Sequence, residues 1–273
     1  MLVLFGFVLW ERRRRQARHE RPPVREKLLR PAGHSLSRQI EELWDSFSTF
    51  AIAAGGFSVA FTIMSRSAGK ESTAGLLVIL TVMGLCAAVC TVIAWRKYVA
   101  IKQLRLGLLG EQVMAEHLQG LWADGCRVFH DVPGDGQWNL DHVVVGPPGV
   151  YAIETKCRTK KPSRNDLRDQ DAVFDGAVIQ FPWCKDAEAA GQARRNAKWL
   201  AGMLSKAIGE PVSVQPVVAL PGWFVTLKMV SDVKVLSGDF VANFIATEKP
   251  KLSDKVIKQI AHELEQRCRD VEF

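Results

Sequence analysis

This 273-residue chain lacks any enrichment in glycine or proline, at 21 and 12 residues, which excludes a fibrous protein. Disorder is excluded by a hydrophobic content of 48%. The six cysteines contain no CxxC pair, so zinc binding and dithiol redox chemistry have no support in their spacing. Cys86 and Cys90 fall inside an apolar run, while Cys126, Cys157, Cys184 and Cys268 are scattered and fit reduced thiols of a cytoplasmic domain. No basic segment precedes the apolar stretch Met1 to Trp10, so the signal-peptide pattern is missing. Ten residues are also too few to span a bilayer. An interfacial anchor, the remnant of a longer segment and an alternative start all remain open for it.

Positive charge is missing from the larger part of the chain. The net charge is +7, but residues 1–105 hold 16 Lys and Arg against 7 Asp and Glu, a balance of +9. Residues 106–273 hold 20 basic against 22 acidic groups, a balance of −2. A global argument for a polyanionic partner therefore fails. The sequence Glu11 to Lys27, rich in arginine, fits a juxtamembrane tail against anionic lipid better than a nucleic-acid site.

Charge is missing altogether from two runs, Ser46 to Ser65 and Ser72 to Trp95, of 20 and 24 residues. Each is long enough to cross a hydrocarbon core of roughly 30 Å as a helix. They predict a transmembrane hairpin over about 46–65 and 72–95, with Arg66 to Glu71 as its turn. Arg12 to Arg15, Arg18, Arg21, Arg25, Lys27, Arg30 and Arg38 precede the first run, and Arg96, Lys97, Lys102 and Arg105 follow the second. The turn has only Arg66 and Lys70. The positive-inside rule then puts both flanks in the cytoplasm and makes the protein a multi-pass protein of the cell (inner) membrane. Gly56 with Ala60 and Gly84 with Ala88 would let the helices approach closely. Residues 1–45 read as the apolar N-terminus and basic segment, and 96–106 as a basic linker.

A soluble α/β domain is expected from Leu106 onward. LGLLGEQVMAEHLQGLWADG reads as an amphipathic helix, followed by strand-like RVFHDV, NLDHVVVG and GVYAIETK. After a polar stretch, 186–209 reads as a helix and 212–220 as a strand, giving an αβββαβ order over 107–220. Residues 221–273 add strands near WFVTL and VKVLS and a closing helix that would pack on the core.

The two middle strands meet through Gly146-Pro147-Pro148-Gly149. A turn centred on Pro147-Pro148 pairs residues whose numbers sum to 295, and Asp141 and Glu154 are such a pair. Side chains alternate along a strand, so Lys156 shares the face of Glu154. Two adjacent carboxylates repel unless a cation lies between them. Oxygen ligands suit Mg²⁺ or Mn²⁺, which need only one or two protein carboxylates. Such an ion polarises a phosphodiester and acidifies a bound water, while a lysine offsets charge growing on the phosphate.

Asp141, then Glu154-Thr155-Lys156, resembles the D…(D/E)xK signature of the PD-(D/E)XK nuclease superfamily. More narrowly, GLLGEQ at 107–112, NLDHVVVGPPGVYAIETK at 139–156 and the helix beginning GQARRN resemble the NERD, or nuclease-related, domain. The resemblance covers roughly 107–205, with Asn139-Leu140 where the superfamily proline is loosely kept. It implies a restriction-endonuclease-like fold in which Asp141 and Glu154 bind the metal, with the Thr155 main-chain carbonyl as a further ligand. It also implies that Lys156 is catalytic, Glu111 an auxiliary acid and Gln192 a glutamine near the site.

His142 lies on the strand face opposite Asp141 and reads as a packed residue, and His130 with Asp131 lacks a nucleophile to act on. Trp183 and Trp199 read as core anchors. Arg158, Lys160, Lys161, Arg164 and Arg168 follow the catalytic strand, and Arg194, Arg195 and Lys198 share the Gln192 helix, as candidate phosphate contacts. The expected activity is therefore a membrane-tethered, Mg²⁺- or Mn²⁺-dependent nuclease acting on DNA. Its competitors are a non-catalytic nucleic-acid- or protein-binding module of the same fold and a scaffold in which the hairpin alone acts.

Overall fold

The computed structural model describes residues 27–67, 73–136, 138–164 and 166–271. The apolar N-terminus, most of the basic tail and the hairpin turn lie outside them. Five helices and three sheets are present among the described residues. A short strand β1 (Leu28–Leu29) leads into helix α1 (His34–Ser67) and then α2 (Thr73–Gln119). At 1.5 Å per residue these helices are about 50 and 70 Å long. Both are long and apolar enough to cross a membrane.

Neither helix is confined to its uncharged run. The first begins at His34, twelve residues before Ser46, and Arg96 to Leu106, expected as a linker, are continuous helix. No proline or glycine pair interrupts 96–106, and the amphipathic pattern of 107–119 continues in phase, so nothing ends the helix at the apolar boundary. The GLLGEQ turn is therefore part of the same rod as the second apolar run.

The expected small-residue contact is also revised. Gly56, Gly84 and Ala88 are exposed, and a Cβ at either glycine would meet nothing within 4 Å. They point away from the facing helix. The contact between α1 and α2 instead includes an aromatic group where charge resumes: Trp44 against Phe47 at 5.1 Å, Phe47 against Tyr98 at 6.3 Å and Trp95 against Tyr98 at 5.9 Å. Arg105 covers the Trp44 ring.

A single 3₁₀ turn (Gly120–Trp122) follows α2 and leads to the central sheet. Its strands are β2 (Arg127–Pro133), β3 (Asn139–Gly146) and β4 (Gly149–Thr155), all antiparallel neighbours. The polar stretch 157–184 contributes two short strands, β5 (Asp171–Phe174) and β6 (Ile179–Gln180), and β7 (Lys185–Asp186) follows directly after it. Next come α3 (Ala189–Ile208), β8 (Val214–Leu220), β9 (Phe224–Leu227) and β10 (Lys234–Ser237). The chain ends in α4 (Gly238–Ala246), α5 (Asp254–Cys268) and β11 (Arg269–Val271), which pairs with β1.

The five-stranded sheet has the order β10-β8-β4-β3-β2, with β8 parallel to both β4 and β10. Strand alternation sends Val143, Val145, Val150 and Ala152 to one face, where Leu200 and Leu204 of α3 and Ile260 and Leu264 of α5 cover them. Val144, Tyr151 and Ile153 point to the other face, against Met114 and Leu118 of α2 and Val241 and Ile245 of α4. The result is three layers, and truncating one fully buried leucine such as Leu200 would cost about 2–5 kcal/mol. The smaller sheet, β7-β6-β5-β9, packs Phe174, Phe181, Trp183 and Trp223 against Ala189, Ala190 and Ala193 at the start of α3.

The β3–β4 register runs from His142↔Ile153 to Gly146↔Gly149, every pair summing to 295. Ladder pairing ends one step short of Asp141 and Glu154, and there Asp141 Oδ2 accepts the Thr155 amide at 2.7 Å. Asp141 shares the parity of Val143 and Val145, and Glu154 that of Val150 and Ala152, so both sit on the α3 side of the sheet.

Candidate active site

Glu111, Asp141, Glu154, Lys156 and Gln192 converge at the strand ends. Asp141 and Glu154 arrive from β3 and β4, Gln192 from the first turn of α3, and Glu111 from the last turns of α2. Gly110 permits this approach, because a Cβ there would come within 2.5 Å of Cys157 Cβ and 3.5 Å of Thr155 Cγ2. The three carboxylates are buried, with Glu111, Asp141 and Glu154 only 6%, 9% and 4% exposed.

Lys156 Nζ donates to Glu154 Oε1 at 2.8 Å and to Gln192 Oε1 at 3.0 Å. Asn196, one turn beyond Gln192, donates to Glu154 Oε2 at 3.0 Å. Both oxygens of Glu154 are thus held, and Lys156 is tied between a carboxylate and an amide. The Lys156 amide also donates to the Ala219 carbonyl at 2.9 Å, which carries the β4 backbone past the last ladder pair. Glu111 Oε2 and Thr155 Oγ1 are buried with no hydrogen-bond partner.

Negative charge exceeds positive in this group. Burial, then the nearby Asp131 and Glu154, pushes the Glu111 carboxyl up to about 7. Burial raises Asp141 well above the usual carboxylate range, with Glu154 and Glu111 adding to the effect. Glu154 is raised by burial as well, against the opposing pull of Lys156. For Lys156, burial works to depress the ammonium, but Glu154 outweighs it and the group is raised. Three buried acids and one ammonium leave the cluster short of positive charge. Among the described residues no three His, Cys, Asp or Glu side chains form a ready-made metal cage. Two carboxylates plus water remain within what Mg²⁺ accepts.

The basic candidates are less uniform. Arg158 pairs with Asp186 and lies over the Phe181 ring, and Lys160 lies over Trp223, so both are tied to the smaller sheet. Arg194 is bidentate to Asp232, and Arg168 pairs with Asp171. Arg195 and Lys161 are exposed and make no ion pair among the described residues. Lys198 and Arg164 are exposed too. Arg195 borders an open cleft of about 450 Å³ with Trp138, Asn139, Gln192, Asn196 and Trp199. Trp199 packs edge-on to Trp138, receives Arg267 over its ring and donates to Asp135. Trp183 stacks with Phe181 and Trp223.

His142 is fully buried, and its Nδ1 meets Nδ1 of His130 at 2.8 Å, away from the acid cluster. Two residues near the site, Asn196 and Asp131, have structural roles that the sequence reading did not assign. Asn196 could have been found from its i+4 spacing to Gln192, which places both amides on one helix face. Asp131 is entirely buried, and its partners come from distant segments.

Residues 106–221 match the family model of the nuclease-related domain, NERD. The match opens at the last turns of α2 and closes just after β8, and so contains every member of the acid–lysine cluster. No curated protein matches the chain. A solved structure of Pyrococcus furiosus SfsA in complex with Ca²⁺ aligns over 62% of this chain at 17% identity and a TM-score of 0.22. The alignment spans 55% of that protein.

Proposed function

We propose that this protein is a metal-dependent nuclease of restriction-endonuclease-like fold, tethered to the cell membrane and hydrolysing phosphodiester bonds of DNA on the cytoplasmic side. The observation that carries the reading is the Lys156 ammonium, held between Glu154 and Gln192 beside two further buried carboxylates. Mg²⁺ or Mn²⁺ would fit Asp141 and Glu154, because the cluster is short of positive charge and Glu111 has an unpartnered buried oxygen. When bound, the ion would supply Lewis acidity and a more acidic water.

The chain's own groups have separable tasks. Lys156 offsets charge building on the phosphate and orients the attacking water. Gln192 fixes that lysine, and Asn196 fixes the rotamer of Glu154. Hydrolysis adds water to phosphorus and breaks one P–O ester bond. Arg195, with Lys161 and Lys198, is free to meet the phosphates on either side of that bond.

Membrane tethering is supported by the two long apolar helices and by the Trp44, Trp95 and Tyr98 group where charge resumes, since such rings favour the membrane interface. The arginine-rich flanks support a cytoplasmic domain. A cysteine placed at Lys70 should react with an impermeant maleimide in intact cells.

The decisive experiment uses the full chain in lipid nanodiscs with plasmid DNA, linear DNA and RNA, in Mg²⁺, Mn²⁺ or EDTA. Metal-dependent cleavage lost in Asp141→Ala and Lys156→Ala is the expected result. Cleavage persisting in both variants would overturn the assignment. DNA binding that ignores EDTA and yields no product would instead establish the binding module.

A further inference from the structure

Asp131 joins the distant segment Arg30 to Ser35 to the start of β3. Its carboxylate is fully buried and accepts four hydrogen bonds. Arg30 Nη1 donates to Oδ2 at 2.9 Å and Ser35 Oγ to the same oxygen at 2.7 Å. The Ser35 amide reaches Oδ1 at 3.1 Å and Asn139 Nδ2 reaches it at 2.7 Å. Asp131 has a φ of +49, a left-handed conformation that persists when the surroundings hold it. By accepting the Ser35 amide, it also places negative charge at the start of α1, where the helix dipole favours it.

The segment held this way is in contact with the proposed site. Arg30 is gripped on its far side by Asp270, at 2.8 and 2.6 Å, and β1 pairs with β11. Three residues on, Gly33 has a φ of +72. A Cβ on it would fall 2.2 Å from Leu108 Cδ1 and 3.8 Å from Glu111 Oε2. The Gly33 backbone lies near enough to the Glu111 carboxyl to oppose part of its upward shift. Through Asn139 the Asp131 carboxylate fixes the start of β3, two residues before Asp141.

We propose that Arg30 to Ser35, clamped on Asp131, is a positioning element of the active site that seats Glu111 and the start of β3, so that the hairpin regulates the nuclease it carries. The proposal rests on the nuclease reading for its functional consequence, but its structural core can be measured without cleavage. A displacement of the hairpin transmitted along α1 would reach Gly33 directly, since Ser37 continues the helix by donating to the Gly33 carbonyl at 2.8 Å.

The test uses the full chain in nanodiscs, because strand β11 depends on β1 for its partner. Ser35→Ala removes one bond to Asp131 and leaves the acid–lysine cluster unaltered. Gly33→Ala places a methyl group against Leu108. Hydrogen exchange over 107–114 should rise in both variants, with exchange in α4 unchanged as a control. With DNA and Mg²⁺, kcat should fall with KM little altered, on the order of a hundredfold for Gly33→Ala, as for small displacements of catalytic groups. Unchanged exchange over 107–114 in Ser35→Ala would overturn the proposal, even if Gly33→Ala failed to fold. Faster exchange in a wild-type background that never cleaves would keep the coupling and discard the nuclease reading.

Discussion

Gly110 and Cys157 touch so closely that a Cβ on the glycine would lie 2.5 Å from the Cβ of the cysteine. The contact fixes the distance between α2 and the end of β4 one residue before Glu111. Gly110→Ala must therefore push the helix outward, at a cost of about 1–3 kcal/mol as for other overpacked contacts. Cleavage should fall more steeply than stability does, because Glu111 moves with the helix. Cys157→Gly in the same chain should restore part of both. Denaturant melts beside cleavage rates measure this, and a fully active Gly110→Ala protein would contradict it.

The two amides of α3 predict different outcomes. Asn196 is buried, and Asn196→Ala strips a hydrogen bond from the buried Glu154 Oε2, which costs about 1–3 kcal/mol. Gln192 is half-buried and holds Lys156, whose side chain is 26% exposed, so water can replace it. Gln192→Ala should leave the unfolding midpoint almost unmoved while lowering kcat. Equal stability losses in the two variants would refute the distinction.

These relationships differ in how far they could be read from sequence. The 295 register follows from Gly146-Pro147-Pro148-Gly149, since a two-residue turn leaves little freedom over five pairs. It brings Asp141 beside Glu154, and alternation then adds Lys156. The parallel placement of β8 between β4 and β10 leaves no such local mark, because its partners are distant. The strands within 157–184 are two to four residues long and lean on tryptophans rather than on alternation. Helix α2 runs on through 96–106, the expected linker, because a fall in hydropathy marks the limit of an apolar run, not the end of a helix. The clamp on Asp131 has no mark in the sequence, since Arg30 and Ser35 lie 101 and 96 residues away.

Acid should destabilise the fold through the histidine pair. Burial lowers His130 to about 4, and His142 is held well below its ordinary value by burial and by His130. A folded-state value below the unfolded one, near 6.5, means that protons bind the unfolded chain more tightly. The stability of these neutral rings is complete above about pH 6.5 and is lost as pH falls toward 4, by up to about 1.4 kcal/mol per pH unit for each group. The raised acids Glu111, Asp141 and Glu154 act in the opposite direction, favouring the fold as they protonate. The histidine contribution is therefore read as a difference. Urea melts at pH 5 and 7.5 should show a smaller acid-induced loss in His130→Gln than in wild type.

Glu111, Asp141 and Glu154 are all raised by burial, and this crowding gives a prediction with opposite signs in the absence and the presence of a divalent cation. Asp141→Asn removes a buried charge while retaining an oxygen that can accept the Thr155 amide, now 2.7 Å away. Without metal, the variant should unfold at higher denaturant concentration than wild type at pH 7.5, because one of three crowded acids is gone. With metal the order should reverse. A cation that binds only the folded protein stabilises it by about 2.7 kcal/mol at a hundred times its Kd, and Asp141→Asn should forfeit most of that gain together with cleavage. Melts of both proteins in EDTA and across a Mn²⁺ titration distinguish the cases. If Mn²⁺ shifted both midpoints equally, Asp141 would not be a ligand. If the variant were the weaker protein in EDTA, crowding among the acids would not be what limits stability.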